Sequence, residues 1–126
     1  MKILILEDDP ERIHWFYKKF FKHDITCTNS VDGAIRCIKD KEYDIIFLDH
    51  DLGGKVFCNH QEEPTGYHVA CMIPSSENKN TMVIIHSWNS PAAKLMKEHL
   101  VAATDYTGTV VTMVFGTFDE TNFNTG

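Results

Sequence analysis

Apolar residues in this chain recur in two rhythms. Short unbroken runs stand at Ile3 to Leu6, at Ile45 to Leu48 within a strand at 44–48, and at Met82 to Ile85. Runs of this kind read as strands buried on both faces. Ile25 to Thr28 and Thr109 to Phe115, rich in β-branched residues, read as two further strands. Between the strands the spacing turns helical. Ile13, Phe16, Tyr17, Phe20 and Phe21 form one apolar set, with Glu11, Arg12, Lys18, Lys19 and Lys22 on the other faces. Ser30 can cap a helix from Val31 to Lys39 that turns Ala34, Ile35 and Ile38 inward. Gly66 to Ile73 reads as a short helix, and Pro91 opens another to about Ala103. Strand and helix alternate throughout, which predicts a single doubly wound α/β domain. Its five-stranded parallel sheet takes the order 2-1-3-4-5, with helices on both faces. The domain should span residues 1–115. Residues 116–126 lack apolar periodicity and read as a C-terminal tail, with the last helix of such a fold missing.

The ends of the strands carry the chemistry. In open α/β sheets, ligands bind beyond the carboxyl ends of the strands. Strand one ends in Glu7, Asp8 and Asp9, strand three in Asp49, His50 and Asp51, and strand four in His86, Ser87, Trp88 and Asn89. Carboxylates crowded into one crevice repel unless a cation lies between them. Hard oxygen ligands suit Mg²⁺ or Mn²⁺, while imidazole suits Zn²⁺, Fe²⁺ or Mn²⁺ better. Asp9, directly before Pro10, reads as a helix cap rather than a ligand. Asn89 either donates to a phosphate oxygen or caps the helix begun by Ser90 and Pro91. Residues 53–64 form a long polar connection, the kind that is often functional. Cys58 and His60 within it fall short of a closed four-ligand zinc site.

Composition narrows the partners. The chain has 126 residues, enough for one domain with a real core. A formal net charge of −6 gives no global attraction to duplex DNA or an anionic membrane. A small phosphate-bearing ligand therefore needs a metal or a local basic group to supply positive field. Cys27, Cys37, Cys58 and Cys71 form no CxxC pair, and no apolar segment reaches membrane length. Reduced thiols in a cytoplasmic protein are the expectation.

The segments ILILEDDP, DIIFLDHDLG, GYHVACMI and VIIHSWN together resemble a response-regulator receiver domain, to about residue 115. The resemblance implies Mg²⁺ held by Glu7, Asp8 and Asp49, with Asp49 as phosphoryl acceptor, the Asp51 carbonyl as a metal ligand and Ser87 on the phosphoryl group. It also has gaps. Receivers carry a lysine at the end of strand five, and here no Lys or Arg follows Lys97. Gly53 replaces an expected proline, and His50, Asp51, His86 and Asn89 are additions. LDHDL paired with HSWN is similar to the divergent cyclic-phosphate processing receiver family. That likeness implies a metal-dependent phosphoesterase acting on an RNA 2′,3′-cyclic phosphate end or a cyclic nucleotide. The metal, Mg²⁺ or Mn²⁺, would sit on Glu7, Asp8, Asp49 and Asp51. His86, ahead of His50, would serve as acid or base, with Asp51 orienting a histidine, while Ser87 and Asn89 hold phosphate oxygens. Two rivals share these residues: a non-catalytic binder of a phosphorylated or cyclic nucleotide signal, and a stand-alone phospho-accepting receiver.

Overall fold

A computed structural model describes residues 1–49, 65–86 and 90–113. In chain order the elements are β1 (Lys2–Leu6), α1 (Pro10–Lys19), β2 (Asp24–Thr28), α2 (Val31–Asp40), β3 (Ile45–Leu48), α3 (Gly66–Met72), β4 (Met82–His86), α4 (Ser90–Ala102) and β5 (Val110–Met113). The strands are all parallel and stand in the order β2-β1-β3-β4-β5, as the alternation predicts. Leu6 pairs with Leu48 and Leu48 with Ile85, so three neighbouring strands finish level with one another. The expected tail at 116–126, the missing last helix and the end of the fifth strand beyond Met113 lie outside the described residues. No described helix is long and apolar enough to cross a membrane.

Side chains alternate across the sheet and build a core on each face. Leu4, Leu6, Ile46, Leu48, Val83 and Ile85 face α2, α3 and α4, whose Ile38, Val69 and Met96 close that layer. Ile3, Ile5, Ile45, Phe47 and Ile84 face the other way, against Phe16 and Phe20. Phe16 packs on Phe47 with ring centroids 4.8 Å apart. The helical set read from sequence divides here. Phe16 and Phe20, one turn apart, are buried, whereas Tyr17 is 46% and Phe21 72% exposed. α1 ends at Lys19 with Phe20 as its C-cap, so Phe21 lies past the helix that would have carried it inward.

Caps fall where the sequence puts them. The Asp9 side chain accepts the Glu11 N–H at 2.9 Å and Ser30 accepts the Gly33 N–H at 3.0 Å. At the amino edge of the sheet, buried Asn78 ties three segments together. Its Nδ2 donates to the carbonyls of Ile38 (2.9 Å) and Lys41 (2.7 Å), and its Oδ1 accepts the Tyr43 N–H at 2.7 Å. The Thr81 hydroxyl lies 2.8 Å from the Tyr43 carbonyl, and the Tyr106 hydroxyl 2.6 Å from the Thr81 carbonyl. Gly108 is needed beside this network, because a Cβ there would come within 2.4 Å of the Thr81 carbonyl oxygen.

Candidate functional site

Because the three strands end level, the residues at their tips share one height. Strand parity also gives them one face. Glu7 follows Ile3 and Ile5, Asp49 follows Ile45 and Phe47, and His86 follows Ile84, all on the α1 side of the sheet. The Glu7 N–H donates to the Thr28 carbonyl at 3.1 Å, which extends the β1–β2 ladder by one step. Glu7 is fully buried, Asp49 is 4% exposed and His86 2% exposed. Asp8 joins them, and one carboxylate oxygen from each of Glu7, Asp8 and Asp49 lies within 4.8 Å of the others.

Helix α1 brings the counter-charge. Arg12 sits one turn above Phe16 on the same stripe. Its guanidinium is 3.7 Å from Glu7 Oε2, 3.9 Å from Asp49 Oδ2 and 3.8 Å from Asp9 Oδ2. The amphipathic pattern alone assigns Arg12 to an outer face of α1. The structure corrects this: the buried stripe of Phe16 and Phe20, continued one turn toward the N-terminus, reaches position 12. That i, i+4, i+8 relation is present in the sequence.

Glu7 is held from two sides. Its Oε1 accepts the N–H groups of Asp8 (3.2 Å) and Asp9 (3.1 Å). Its Oε2 is buried without a hydrogen bond, 3.4 Å from His86 Nδ1. Burial pushes the Glu7 carboxyl above its usual range, opposed by the Asp9 N–H, Arg12 and the Asp8 N–H. His86 is shifted down to about 3, chiefly by burial and secondarily by the Arg12 charge. Its ring meets Phe16 edge-on at 5.3 Å and tilts against Phe47 at 6.2 Å. The imidazole is thus neutral and enclosed at physiological pH. The residue expected as acid or base is thus held between two aromatic rings.

The donor set suits a hard divalent ion. Carboxylate oxygens are what Mg²⁺ and Mn²⁺ prefer, and the buried Glu7 Oε2 lacking a hydrogen bond is an acceptor that a cation would satisfy. Of the residues expected at the site, the structure gathers Glu7, Asp8, Asp49 and His86. His50, Asp51, Ser87 and Asn89, with Cys58 and His60 of the long connection, lie outside the described residues. Asp9 serves as the α1 cap, as expected.

Comparison with known proteins agrees with this fold. Residues 2–102 match the family model described as the cyclic-phosphate processing receiver domain. Among curated proteins, no sequence matches the chain. Solved structures with the same fold include the receiver domain of the sensor histidine kinase PA1611 from Pseudomonas aeruginosa, which has a magnesium ion in its active-site cleft. That structure is 19% identical with a TM-score of 0.67, over 97% of this chain and 89% of that one. The response regulator TrrA of Thermotoga maritima, in complex with Mg²⁺ and BeF, is 19% identical with a TM-score of 0.65, over 97% and 93% of the two chains. A Francisella response-regulator receiver domain is 22% identical with a TM-score of 0.61, over 97% and 88%.

Proposed function

The chain belongs to the cyclic-phosphate processing receiver domain family, and on that premise we propose that it is a metal-dependent phosphoesterase that opens a cyclic phosphate. The observation that carries the reading is the convergence of Glu7, Asp8 and Asp49 at the carboxyl edge of β1 and β3. A divalent ion held by Asp8 and Asp49, with Glu7 behind it, would polarise a phosphoryl oxygen and lower the pKa of bound water. Glu7 has its Oε1 fixed by two backbone N–H groups, which supports a role in keeping the site rigid.

His86 is better suited to orient Glu7 than to exchange protons. It is enclosed by Phe16 and Phe47 and faces the carboxylate at 3.4 Å. The proton for the leaving oxygen is then assigned to His50, with Asp51 orienting it or completing the metal shell. Ser87 and Asn89 take the non-bridging oxygens. The substrate class is an RNA 2′,3′-cyclic phosphate end or a cyclic nucleotide, and the metal Mg²⁺ or Mn²⁺.

The test follows turnover of a panel of cyclic phosphates with Mg²⁺ or Mn²⁺, comparing the protein with Asp49→Asn. The proposal expects ring opening by the unaltered protein and a loss of about 10²-fold or more in the variant, the scale on which single groups act in catalysis. The variant should fold, because removing one charge relieves repulsion within the cluster, and its stabilisation by metal should shrink. Ligand recovered unchanged after denaturation would instead mark a binder. A second reading, phosphoryl transfer onto Asp49, is favoured by the position of that carboxylate beside the other two acids. Stable labelling of Asp49 by acetyl phosphate, without ring opening, would select it.

A further inference from the structure

We propose that the outer face of α1 is a track for single-stranded RNA, on which Tyr17 and Phe21 stack bases while Lys18 and Lys22 pair with phosphates on the way to the acid cluster. The inference rests on the reading that a cyclic phosphate is opened at that cluster. It narrows the substrate from a free cyclic nucleotide to the end of an RNA strand.

The first observation is a pair of aromatic rings left outside the core. Helical spacing groups Tyr17 and Phe21 with Phe16 and Phe20, yet both are exposed, Phe21 by 72%. One bare ring on a surface is ordinary. Here each of the two is followed directly by a lysine, Lys18 and Lys22, that is itself exposed. The Lys22 ammonium lies 5.6 Å from the centroid of the Phe21 ring, so a cation and an open aromatic surface adjoin. Stacking surface beside phosphate partner is the combination with which proteins hold single strands.

The second observation is the charge of the same stretch. From Arg12 to His23 the sequence holds Arg12, Lys18, Lys19 and Lys22 and no Asp or Glu. The stretch therefore carries +4 and the rest of the chain −10, which together give the net −6. A charge acts over about 10 Å at 0.1 M salt, so a partner confined to this helix meets the basic part alone. A single strand is narrow enough to be so confined. A duplex or an anionic membrane would set its own charge against the acidic remainder.

The third is direction. α1 starts at the carboxyl edge, where Asp9 caps it and gives its N–H to Glu7 of the acid cluster. It runs back toward the amino edge, where Asp24 of β2 pairs with Lys2. Its ten residues, at 1.5 Å each, make it roughly 15 Å long. His14, Tyr17, Lys18 and Phe21, at i, i+3, i+4 and i+7, are all exposed, on the side away from Phe16 and Phe20. A stacked strand rises roughly 3.4 Å per nucleotide and covers that length in about four to five nucleotides. An RNA whose 3′ end lies at the acid cluster thus has its preceding bases over Tyr17 and Phe21. RNA alone supplies a 2′,3′-cyclic end, because the ring closes on a 2′-hydroxyl that DNA lacks.

The experiment measures binding of a fluorescein-labelled RNA hexanucleotide with a 3′-hydroxyl end to the full chain in Mn²⁺, by fluorescence anisotropy. It is repeated with Phe21→Ala and with the double variant Lys18→Gln, Lys22→Gln. All three side chains are exposed, so the variants should fold, which circular dichroism checks. Phe21→Ala should bind the RNA about 5-fold or more weakly, the scale of one lost stacked base. Its Mn²⁺ affinity should not change. The double variant should bind more weakly and flatten the dependence of log K on log salt by about 1.4, at about 0.7 for each phosphate contact on a single strand. A hexanucleotide that does not bind, or that binds Phe21→Ala as tightly as the unaltered protein, overturns the proposal. So does Phe21-dependent binding to phosphatidylserine vesicles without RNA binding, which assigns the face to a membrane. Phe21-dependent RNA binding in a protein that opens no cyclic phosphate keeps the track and removes the hydrolase. Ring opening with RNA binding indifferent to Phe21 keeps the hydrolase and removes the track.

Discussion

The two edges of the sheet handle buried polarity in opposite ways. At the amino edge, Asn78, Thr81 and Tyr106 are neutral, and each hydrogen-bonds a backbone group at 2.6 to 2.9 Å. At the carboxyl edge, three carboxylates crowd within 4.8 Å, with the Arg12 guanidinium 3.7 Å from Glu7 and 3.9 Å from Asp49. The first arrangement is what a chain uses to fix its own structure. The second is poor as a stabiliser, since carboxylates in so small a space repel one another without a cation. On the function proposed above, the contrast separates residues kept for folding from residues kept for a ligand. Both kinds are buried, so burial by itself does not distinguish them.

That contrast can be broken most severely at Asn78. Asn78→Ala strands the Tyr43 N–H and the carbonyls of Ile38 and Lys41. A loss of about 3 kcal/mol or more in chemical denaturation is expected, at about 1–3 kcal/mol for each buried group left unsatisfied. A loss below about 1 kcal/mol would show that the amino edge does not fix the fold as described. The metal dependence of whatever folded protein remains should be unaltered.

Next in size is the pH dependence of the carboxyl edge, measured as unfolding free energy in chelator. His86 is depressed to about 3 from 6.5 in the folded protein. Between those values the unfolded chain binds more protons, so stability falls as pH drops below 6.5, by at most about 1.4 kcal/mol per pH unit. Glu7 is shifted upward by burial, so the folded protein binds more protons than the unfolded chain above the ordinary carboxyl value of 4.5. Its contribution runs the other way: stability declines as pH rises from there. The two slopes oppose each other where they overlap. Glu7→Gln should therefore stabilise the protein near neutrality and steepen its acid limb. An acid limb unchanged by this substitution would break the pairing of Glu7 with His86.

The smallest effect sharpens the amino edge. Tyr106→Phe removes one hydroxyl from the Thr81 and Thr109 carbonyls and leaves the ring in place. About 1 kcal/mol is expected from thermal or denaturant unfolding, the net value of one such bond. No change in Mn²⁺ affinity should accompany it.

Much of the fold is readable in the chain. The apolar runs at β1, β3 and β4 are too short for helices and too continuous for a half-exposed strand, which leaves a buried parallel sheet. The acids after β1 and β3 then have to share an edge. What escapes is a matter of facing. Arg12 resembles one of several polar residues on an amphipathic helix unless its spacing from Phe16 and Phe20 is weighed before its charge. For His86 the sequence suggests an acid or base without saying what surrounds it; parity with Ile84 carries it under Phe16. Phe21 suggests burial because helical spacing does not announce that α1 stops at Lys19, and Tyr17, inside α1, stands one position off the buried stripe of Phe16 and Phe20.

The level finish of Leu6, Leu48 and Ile85 has a consequence for how this domain can change over generations. Gain or loss of a single residue within β1, β3 or β4 would reverse the facing of the group at its tip, moving a carboxylate or the imidazole to the far side of the sheet. Changes of length in the connections between strands carry no such penalty. Insertions and deletions in descendants of this chain should therefore accumulate between strands and avoid the few positions inside them, even where the apolar residues themselves are freely exchanged.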